Sequence, residues 1–197
     1  MWDLPTVPEF EDPDNHVDVH YHSWDIGTCI QEIAENSVDT PHLKFLHGAP
    51  IIPPVEFEAN GPISKYNIMD GYIWGIGHGP GISETRHNKG DVAMLMFALS
   101  TPVHEELTRT RMAFTWKKYP EGSEDAKTAE HLYHHSIGEA EGEDSAGFES
   151  VDLIVWDNKK YRPNPLLCDG DGPILKFREY FKQFYVEKNE AQKTAAA

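Results

Sequence analysis

Residues 35–47 read ENSVDTPHLKFLH and place an acid before two histidines in the order D-x-x-H-x-x-x-x-H. Asp39 and His42 are three residues apart, so on a helix they share a face. His42 and His47 are five residues apart, a spacing that an unbroken helix does not align. Because Pro41 disfavours a continuous helix, we expect an interruption that turns both imidazoles toward one point. With one carboxylate from elsewhere they form a ligand set suited to non-haem Fe(II); the alternative is a pair of partly buried histidines without a metal.

The composition of the chain excludes several classes of protein. Its 197 residues, 39% hydrophobic, predict one globular domain with a single core. The net charge of −16 argues against nucleic acid, since phosphate binding needs clustered Lys and Arg. No apolar run approaches the ~20 residues that span a bilayer, and no secretory signal is visible. We therefore expect a cytoplasmic protein in which Cys29 and Cys168 are reduced thiols.

Alternating residues predict a mainly antiparallel sheet. Residues 16–22 alternate, so His16, His20 and His22 share one face, which we interpret as the polar face of a strand rather than a metal site. Further strands are predicted at 55–58, 63–69, 71–78, 91–100 and 107–117. Glycines at every second position from Gly75 to Gly81 indicate either close approach of a ligand or helix, or a flexible bend.

Two later regions are predicted to be helical. Residues 126–160 are mainly helical, and His131 and His135 share a face there that we interpret as solvated or partner-facing surface. Residues 173–186 carry aromatics at helical spacing and form an amphipathic helix that caps the core. Together with the strands, these helices predict an α+β fold.

The third iron ligand is expected in residues 150–160, SVDLIVWDNKK. Asp152 lies among apolar residues, where a carboxylate is costly unless it is paired or bound to a metal. Asp157 is the competing candidate, but its neighbours Asn158, Lys159 and Lys160 suggest contact with solvent.

The sequence from residue 31 to residue 48, QEIAENSVDTPH followed later by HG, closely resembles the mononuclear-iron motif of Rieske non-haem iron oxygenases. It looks most like the oxygenase component of 3-ketosteroid 9α-hydroxylase. The resemblance returns near residues 151–186, in the elements NPLL, DGP and QFY, and is weak between the two regions.

This resemblance implies a catalytic domain of the helix-grip type, with an antiparallel sheet wrapped on a long C-terminal helix around a hydrophobic cavity. The first 15 residues are expected to be an extended connector and residues 191–197 a disordered tail. The resemblance implies that the connector comes from a missing N-terminal Rieske domain and that residues 16–190 form the mononuclear iron domain. It assigns Fe(II) to His42, His47 and Asp152, favouring Asp152 over Asp157. It assigns to Asp39, with support from Asn36, a link between an iron histidine and the Rieske cluster of a neighbouring subunit.

The resemblance also implies reaction partners. A Rieske [2Fe-2S] cluster needs the patterns C-x-H and C-x-x-H, and neither cysteine has a histidine at these spacings, so this chain cannot bind that cluster. Electrons are therefore expected from separate Rieske-domain and reductase partners, with O2 and a steroid-like molecule as substrates. The expected reaction is hydroxylation, with desaturation also conceivable, and the expected assembly is a homotrimer.

Two other functions are compatible with the same residues. A steroid- or lipid-binding module would use the cavity without turnover and would fold without metal. A zinc hydrolase would use the same ligands, but it ranks last because the chain has no G-x-S-x-G nucleophile motif.

Overall fold

The computed structural model describes residues 3–138 and 151–186. Its α-helices are α1 (Ile30–Glu35), α2 (Pro41–Phe45), α3 (Glu124–Ser136), α4 (Leu153–Asn158) and α5 (Ile174–Phe181), with 3-10 turns at Pro8–Glu11 and Lys182–Phe184. Its strands are β1 (His20–Ile26), β2 (Val55–Asn60), β3 (Ile63–Ile68), β4 (Ile73–His78), β5 (Ile82–Lys89), β6 (Val92–His104) and β7 (Leu107–Trp116). No helix within these described ranges is long and apolar enough to cross a bilayer.

The seven strands form one antiparallel sheet in the order β1-β7-β6-β5-β4-β3-β2. The predicted strands correspond to β2, β3, β4, β6 and β7. The sequence prediction missed β5, because its residues ISETRHNK lack the alternation of apolar and polar side chains that marks a half-buried strand. The antiparallel sheet with helices confirms the predicted mixture of strands and helices.

One face of the sheet carries the core and the helices. Strand register places one residue of each strand side by side on this face: Phe57, Tyr66, Gly75, Thr85, Met96, Phe114 and His20. Helix α5 packs on the β2–β3 end of the face, through Phe177 against Phe57. Helix α3 packs on β6 and β7 at the other end, through a cluster that includes Leu132 and Phe114. The space between the two helices is left for a cavity.

Up to residue 186, where the described residues end, the long C-terminal helix expected from the resemblance is not observed. Helix α5 has eight residues and continues only as the 3-10 turn Lys182–Phe184. The predicted helical region 126–160 contains two helices, α3 and α4, while residues 139–150 and the predicted tail at 191–197 lie outside the described ranges. Helix α3 begins where the Ser123 side chain accepts a hydrogen bond from the backbone N–H of Ala126, an N-cap.

Strand β1 begins at His20, so the predicted strand at 16–22 starts four residues later than expected. His20 and His22 lie on the core face. The His20 ring stacks on Trp116 at 5.3 Å, and His22 Nε2 lies 2.8 Å from the Tyr133 hydroxyl. These contacts explain the histidines as structural polar groups under α3.

The N-terminal segment packs against the opposite face of the sheet. The Arg86 guanidinium on β5 donates to Glu9 at 2.7 Å and to Glu84 at 2.9 Å. Phe10 meets Phe97 of β6 edge to face at 5.9 Å. The segment predicted as an extended connector is therefore fastened to the outer face of the sheet between residues 7 and 11.

Candidate functional site

Pro41 separates the two helices that carry the site. Helix α1 ends at Glu35, and α2 starts at Pro41, where the missing N–H of proline costs nothing because a first helical residue has no intrahelical acceptor. His42 follows directly, on the first turn of α2. The predicted interruption of the helix between the acid and the first histidine is confirmed.

His47 follows the last turn of α2. The Leu46 N–H donates to the carbonyl of His42 at 2.8 Å, and Gly48 then adopts a φ of +72°, which lets the chain leave the helix. The rings of His42 and His47 lie 5.4 Å apart between centroids and are inclined by 75°. The end of α2 between His42 and His47, rather than the break at Pro41, brings together two imidazoles that a continuous helix would have separated.

Asp152 reaches the histidines from the other end of the chain. It precedes α4, is only 5% exposed, and its Oδ2 lies 3.1 Å from Nε2 of His47. The competing Asp157 is exposed and points elsewhere, because its Oδ1 accepts the Gly27 N–H at 2.7 Å. That bond fixes α4 to the end of β1, and so helps to hold Asp152 in position.

The three side chains converge. His42, His47 and Asp152 each offer one ligand atom, and all three atoms lie within 4.8 Å of one another. Ligands of a first-row metal at about 2.0–2.2 Å from the ion lie roughly 3–4 Å apart, so small side-chain rotations would close the site around one ion. The donor set of two nitrogens and one carboxylate fits Fe(II) and leaves coordination positions free.

The His42 ring is held in the form that binds metals. The carbonyl oxygen of Asp39 can only accept, so Nδ1 of His42 is the donor of the hydrogen bond between them, and the lone pair of a neutral ring is on Nε2. Burial lowers the pKa of His42, and the nearby Asp152 carboxylate offsets this only in part. Neutral imidazole with a fixed tautomer is the ligand form of histidine.

Asp39 and Asn36 both lie beside His42. Asp39 contacts the ring through its backbone carbonyl, while burial raises the pKa of its half-buried carboxyl group despite the opposing influence of His42. The amide nitrogen of Asn36 lies 3.4 Å from His42 Nε2. These two residues are therefore placed to orient the His42 ring from opposite nitrogens.

A cavity of about 480 Å³ opens beside the three candidate ligands, all of which contribute to its wall. This volume is within the range of small-molecule sites. Most of the wall is apolar, including Ile33, Leu43, Ile73, Met96, Met112 and Phe181. Gly77 of β4 lines it, and a Cβ atom there would lie 2.5 Å from Ser64 Oγ; at Gly75 of the same strand a Cβ atom would lie 2.4 Å from the Tyr66 hydroxyl. At Gly75 and Gly77 the close approach is of residues on the neighbouring strands rather than of a helix, while Gly79, with a φ of +86°, supplies a bend.

Sequence reasoning missed two histidines on this wall. His135 was interpreted as surface, but its ring lies 6.4 Å from that of His47 and lines the cavity. His87 lies on the unpredicted strand β5 and also lines the cavity. The only signal for His87 was that the small polar residues Ser83 and Thr85 precede it at every second position. A search for alternating apolar residues does not detect this pattern.

Two characterised relatives resemble this chain over most of its length. The Cholesterol 7-desaturase of Caenorhabditis elegans is 26% identical over 228 residues, covering 95% of this chain and 50% of the relative. The oxygenase component of 3-ketosteroid-9-alpha-monooxygenase from Rhodococcus rhodochrous is 26% identical over 205 residues, covering 92% of this chain and 52% of the relative. The chain thus spans about half the length of these relatives.

Solved structures share the fold. NdmA of Pseudomonas putida CBB5 superposes with a TM-score of 0.65 at 14% identity, covering 98% of this chain and 55% of that protein. Dicamba monooxygenase bound to 3,6-dichlorosalicylic acid superposes with a TM-score of 0.59 at 11% identity, covering 98% of this chain and 64% of that protein. At these identities the likeness establishes the fold alone.

The sequence profile of one family covers nearly the whole chain. It is described as the 3-Ketosteroid 9alpha-hydroxylase C-terminal domain and matches residues 1–185. The resemblance to the catalytic domains of Rieske non-haem iron oxygenases is confirmed. The chain belongs to the family of 3-ketosteroid 9alpha-hydroxylase C-terminal domains.

Proposed function

We propose that this chain is the catalytic domain of a Rieske-type oxygenase that uses Fe(II) and O2 to hydroxylate a steroid or a similar hydrophobic molecule. The observation that carries the proposal is the convergence of His42, His47 and Asp152 on the wall of an apolar cavity. A buried carboxylate beside two imidazoles costs free energy in an apolar site unless an ion or proton compensates it. A metal ion supplies that compensation.

His42, His47 and Asp152 would hold the iron, which when bound supplies the activation of dioxygen. The hydrogen bond from Nδ1 of His42 to the Asp39 carbonyl leaves the lone pair of the ring on Nε2, the nitrogen that would bind the iron. The apolar cavity wall keeps water away from the site and accepts a hydrophobic substrate.

The substrate class is supported by two independent observations. The cavity wall is mainly aliphatic and aromatic, which favours an apolar polycyclic ligand over a charged one. The relatives are named for action on cholesterol and on 3-ketosteroids. One relative is a desaturase and the other a monooxygenase, so desaturation is the competing reaction at the same site.

Electrons would come from a Rieske centre on a separate domain, supplied in turn by a reductase. In this proposal the half-buried Asp39 and its neighbour Asn36 position His42 and connect the iron site to that centre in a neighbouring subunit of a trimer. The boundaries 1–15 and 16–190, the helix-grip arrangement and the cytoplasmic location belong to the same proposal.

The test is anaerobic reconstitution with Fe(II) followed by metal analysis. We expect about one iron per chain. His42→Ala and Asp152→Ala should lose it, because each removes one of three ligands. Asp157→Asn is the matched control, since it removes a nearby carboxylate while the asparagine Oδ1 can still accept the Gly27 N–H, and it should retain the iron.

Turnover is then measured in a single cycle with a steroid panel, O2 and a supplied, reduced Rieske protein. Formation of a hydroxylated product that depends on His42 and Asp152 supports the oxygenase. A folded chain that binds steroid but no iron would instead be a carrier. Zinc in the native protein, with activity that needs neither O2 nor reductant, would indicate a hydrolase.

A further inference from the structure

Strand β5 presents three polar side chains to the cavity. Ser83, Thr85 and His87 alternate along the strand, so they share one face, and all three belong to the cavity wall. The hydroxyl of Thr85 is hydrogen bonded to the hydroxyl of Tyr66 on β3. Thr85 thus has a partner within the protein, and its polar group is accounted for.

His87 has apolar neighbours in the sheet. The register pairs it with Ile73 on β4 and with Met94 on β6, and neither side chain can accept or donate a conventional hydrogen bond. In the described part of the chain, His87 makes no side-chain hydrogen bond or ion pair. A polar ring in such surroundings is costly until it finds a partner, and the open side of this ring is the cavity.

The charge state of His87 suits an uncharged partner. Burial, with smaller contributions from the nearby His135 and His47, lowers the pKa of His87 to about 4. The ring is therefore neutral near pH 7, with one nitrogen that donates and one that accepts. A hydroxyl group can use either nitrogen, and a ketone oxygen can accept from the N–H.

We propose that His87 is a specificity-determining residue that hydrogen bonds a hydroxyl or ketone oxygen of an otherwise apolar polycyclic substrate. The inference rests on the proposed function, because it assumes that the cavity holds such a substrate. The site prefers an oxygenated ligand because the ligand oxygen forms a hydrogen bond with the His87 ring. The parent hydrocarbon displaces water from the ring and offers no hydrogen bond in return. The cavity wall supplies apolar affinity for both ligands, and His87 supplies the difference between them.

The test is equilibrium binding to the metal-free chain by calorimetry. The ligands are androstane and its single hydroxy and keto derivatives at C3 and at C17, so that either end of the ligand can reach His87. Wild type should bind at least one oxygenated steroid about fivefold to tenfold more tightly than androstane. His87→Leu should remove this preference while androstane binds at least as well, and His87→Gln, which keeps a donor and an acceptor, should restore part of it.

Met96→Leu is the matched control. Met96 lines the same wall on the neighbouring strand and has no strong hydrogen-bonding group, so this near-isosteric change should alter the affinities for androstane and for its derivatives by the same factor. Imidazole ¹⁵N spectra of the wild-type chain give a measurement that needs no variant. The His87 nitrogens should shift with an oxygenated steroid and not with androstane.

Equal affinity of wild type for androstane and all four derivatives would overturn the proposal, as would a preference that survives in His87→Leu. Either result leaves the iron content and turnover of the proposed oxygenase intact. Failure of that function has a different signature, the absence of iron and of product. A chain that binds iron but no steroid would overturn both the His87 proposal and the steroid assignment.

Discussion

Burial keeps two histidines of the cavity wall neutral, for two different uses. His42 is oriented by a hydrogen bond from Nδ1 to the Asp39 carbonyl, which leaves the lone pair of the neutral ring on Nε2, 3.4 Å from the Asn36 amide nitrogen. His87 shows no such bond among the residues that the structure describes, and its ring lines the cavity. The same residue type thus serves as a candidate metal ligand where the backbone fixes its tautomer, and as a hydrogen-bonding group where it does not.

Protonation of His87 should destabilise the fold in mild acid. Its pKa is about 4 in the folded chain against an ordinary value of 6.5, so between these values the unfolded chain binds more protons. The free energy of unfolding therefore falls as the pH is lowered through this window, by up to about 1.4 kcal/mol per unit from this residue. Urea denaturation of the metal-free chain from pH 4.5 to 7 should show a shallower pH dependence for His87→Gln than for wild type. Parallel curves would contradict the prediction.

At the level of elements, a buried ionic contact joins α1 to α5. The Arg178 guanidinium on α5 donates to both carboxylate oxygens of Glu35, at 2.6 and 2.9 Å, and lies 3.4 Å from Glu32. Lys159, just after α4, lies 3.0 Å from the other oxygen of Glu32. Since α1 leads directly into the motif with His42, this contact ties the candidate metal site to the C-terminal half of the chain.

Arg178→Ala should therefore be strongly destabilising, by about 3–5 kcal/mol, because it leaves the buried Glu35 carboxylate without its partner. Lys182→Ala is the matched control on the neighbouring turn. The Lys182–Glu179 pair is 67% and 74% exposed, and its loss should change stability by less than about 1 kcal/mol. Chemical denaturation measures both variants, and similar losses for the two would show that the contact between α1 and α5 contributes little.

Elements were predictable in proportion to how clearly their sequences alternate. In strand β7, buried residues alternate with exposed arginines from Thr108 to Met112, and the strand predicted at 107–117 is observed at Leu107–Trp116. Strand β5 escaped prediction because its inward residues include Ser83, Thr85 and His87, which line a ligand cavity instead of a packed core. The polar side chains that kept β5 from matching a hydrophobic pattern are also the groups that it offers to a ligand for hydrogen bonding.

On the scale of the whole molecule, the sheet and three separate segments enclose the site. Helices α1 and α2 bring the histidines, the start of α4 brings Asp152, and α3 closes the wall with His135. A ligand held by two of these segments favours the folded state, because the unfolded chain keeps them apart.

Fe(II) added without oxygen should therefore raise the thermal midpoint of the chain. At about one hundred times its dissociation constant, an ion that binds only the folded state adds about 2.7 kcal/mol, which corresponds to a rise of roughly 5 °C or more. His47→Ala should show little rise. Differential scanning fluorimetry measures the thermal midpoint of each protein. A rise of equal size in wild type and in His47→Ala would indicate that the iron binds elsewhere.

The sequence alone determined the local parts of this site. The D-x-x-H spacing and Pro41 dictated a broken helix with two histidines, because proline and helical periodicity act within a few residues. The resemblance to a known family then selected Asp152 over Asp157. Only the tertiary structure decided that Asp152 lies beside His47, that His135 joins them, and that His87 faces the same cavity. Distances between remote segments depend on strand register and helix packing, which are properties of the whole chain and leave no local pattern to read.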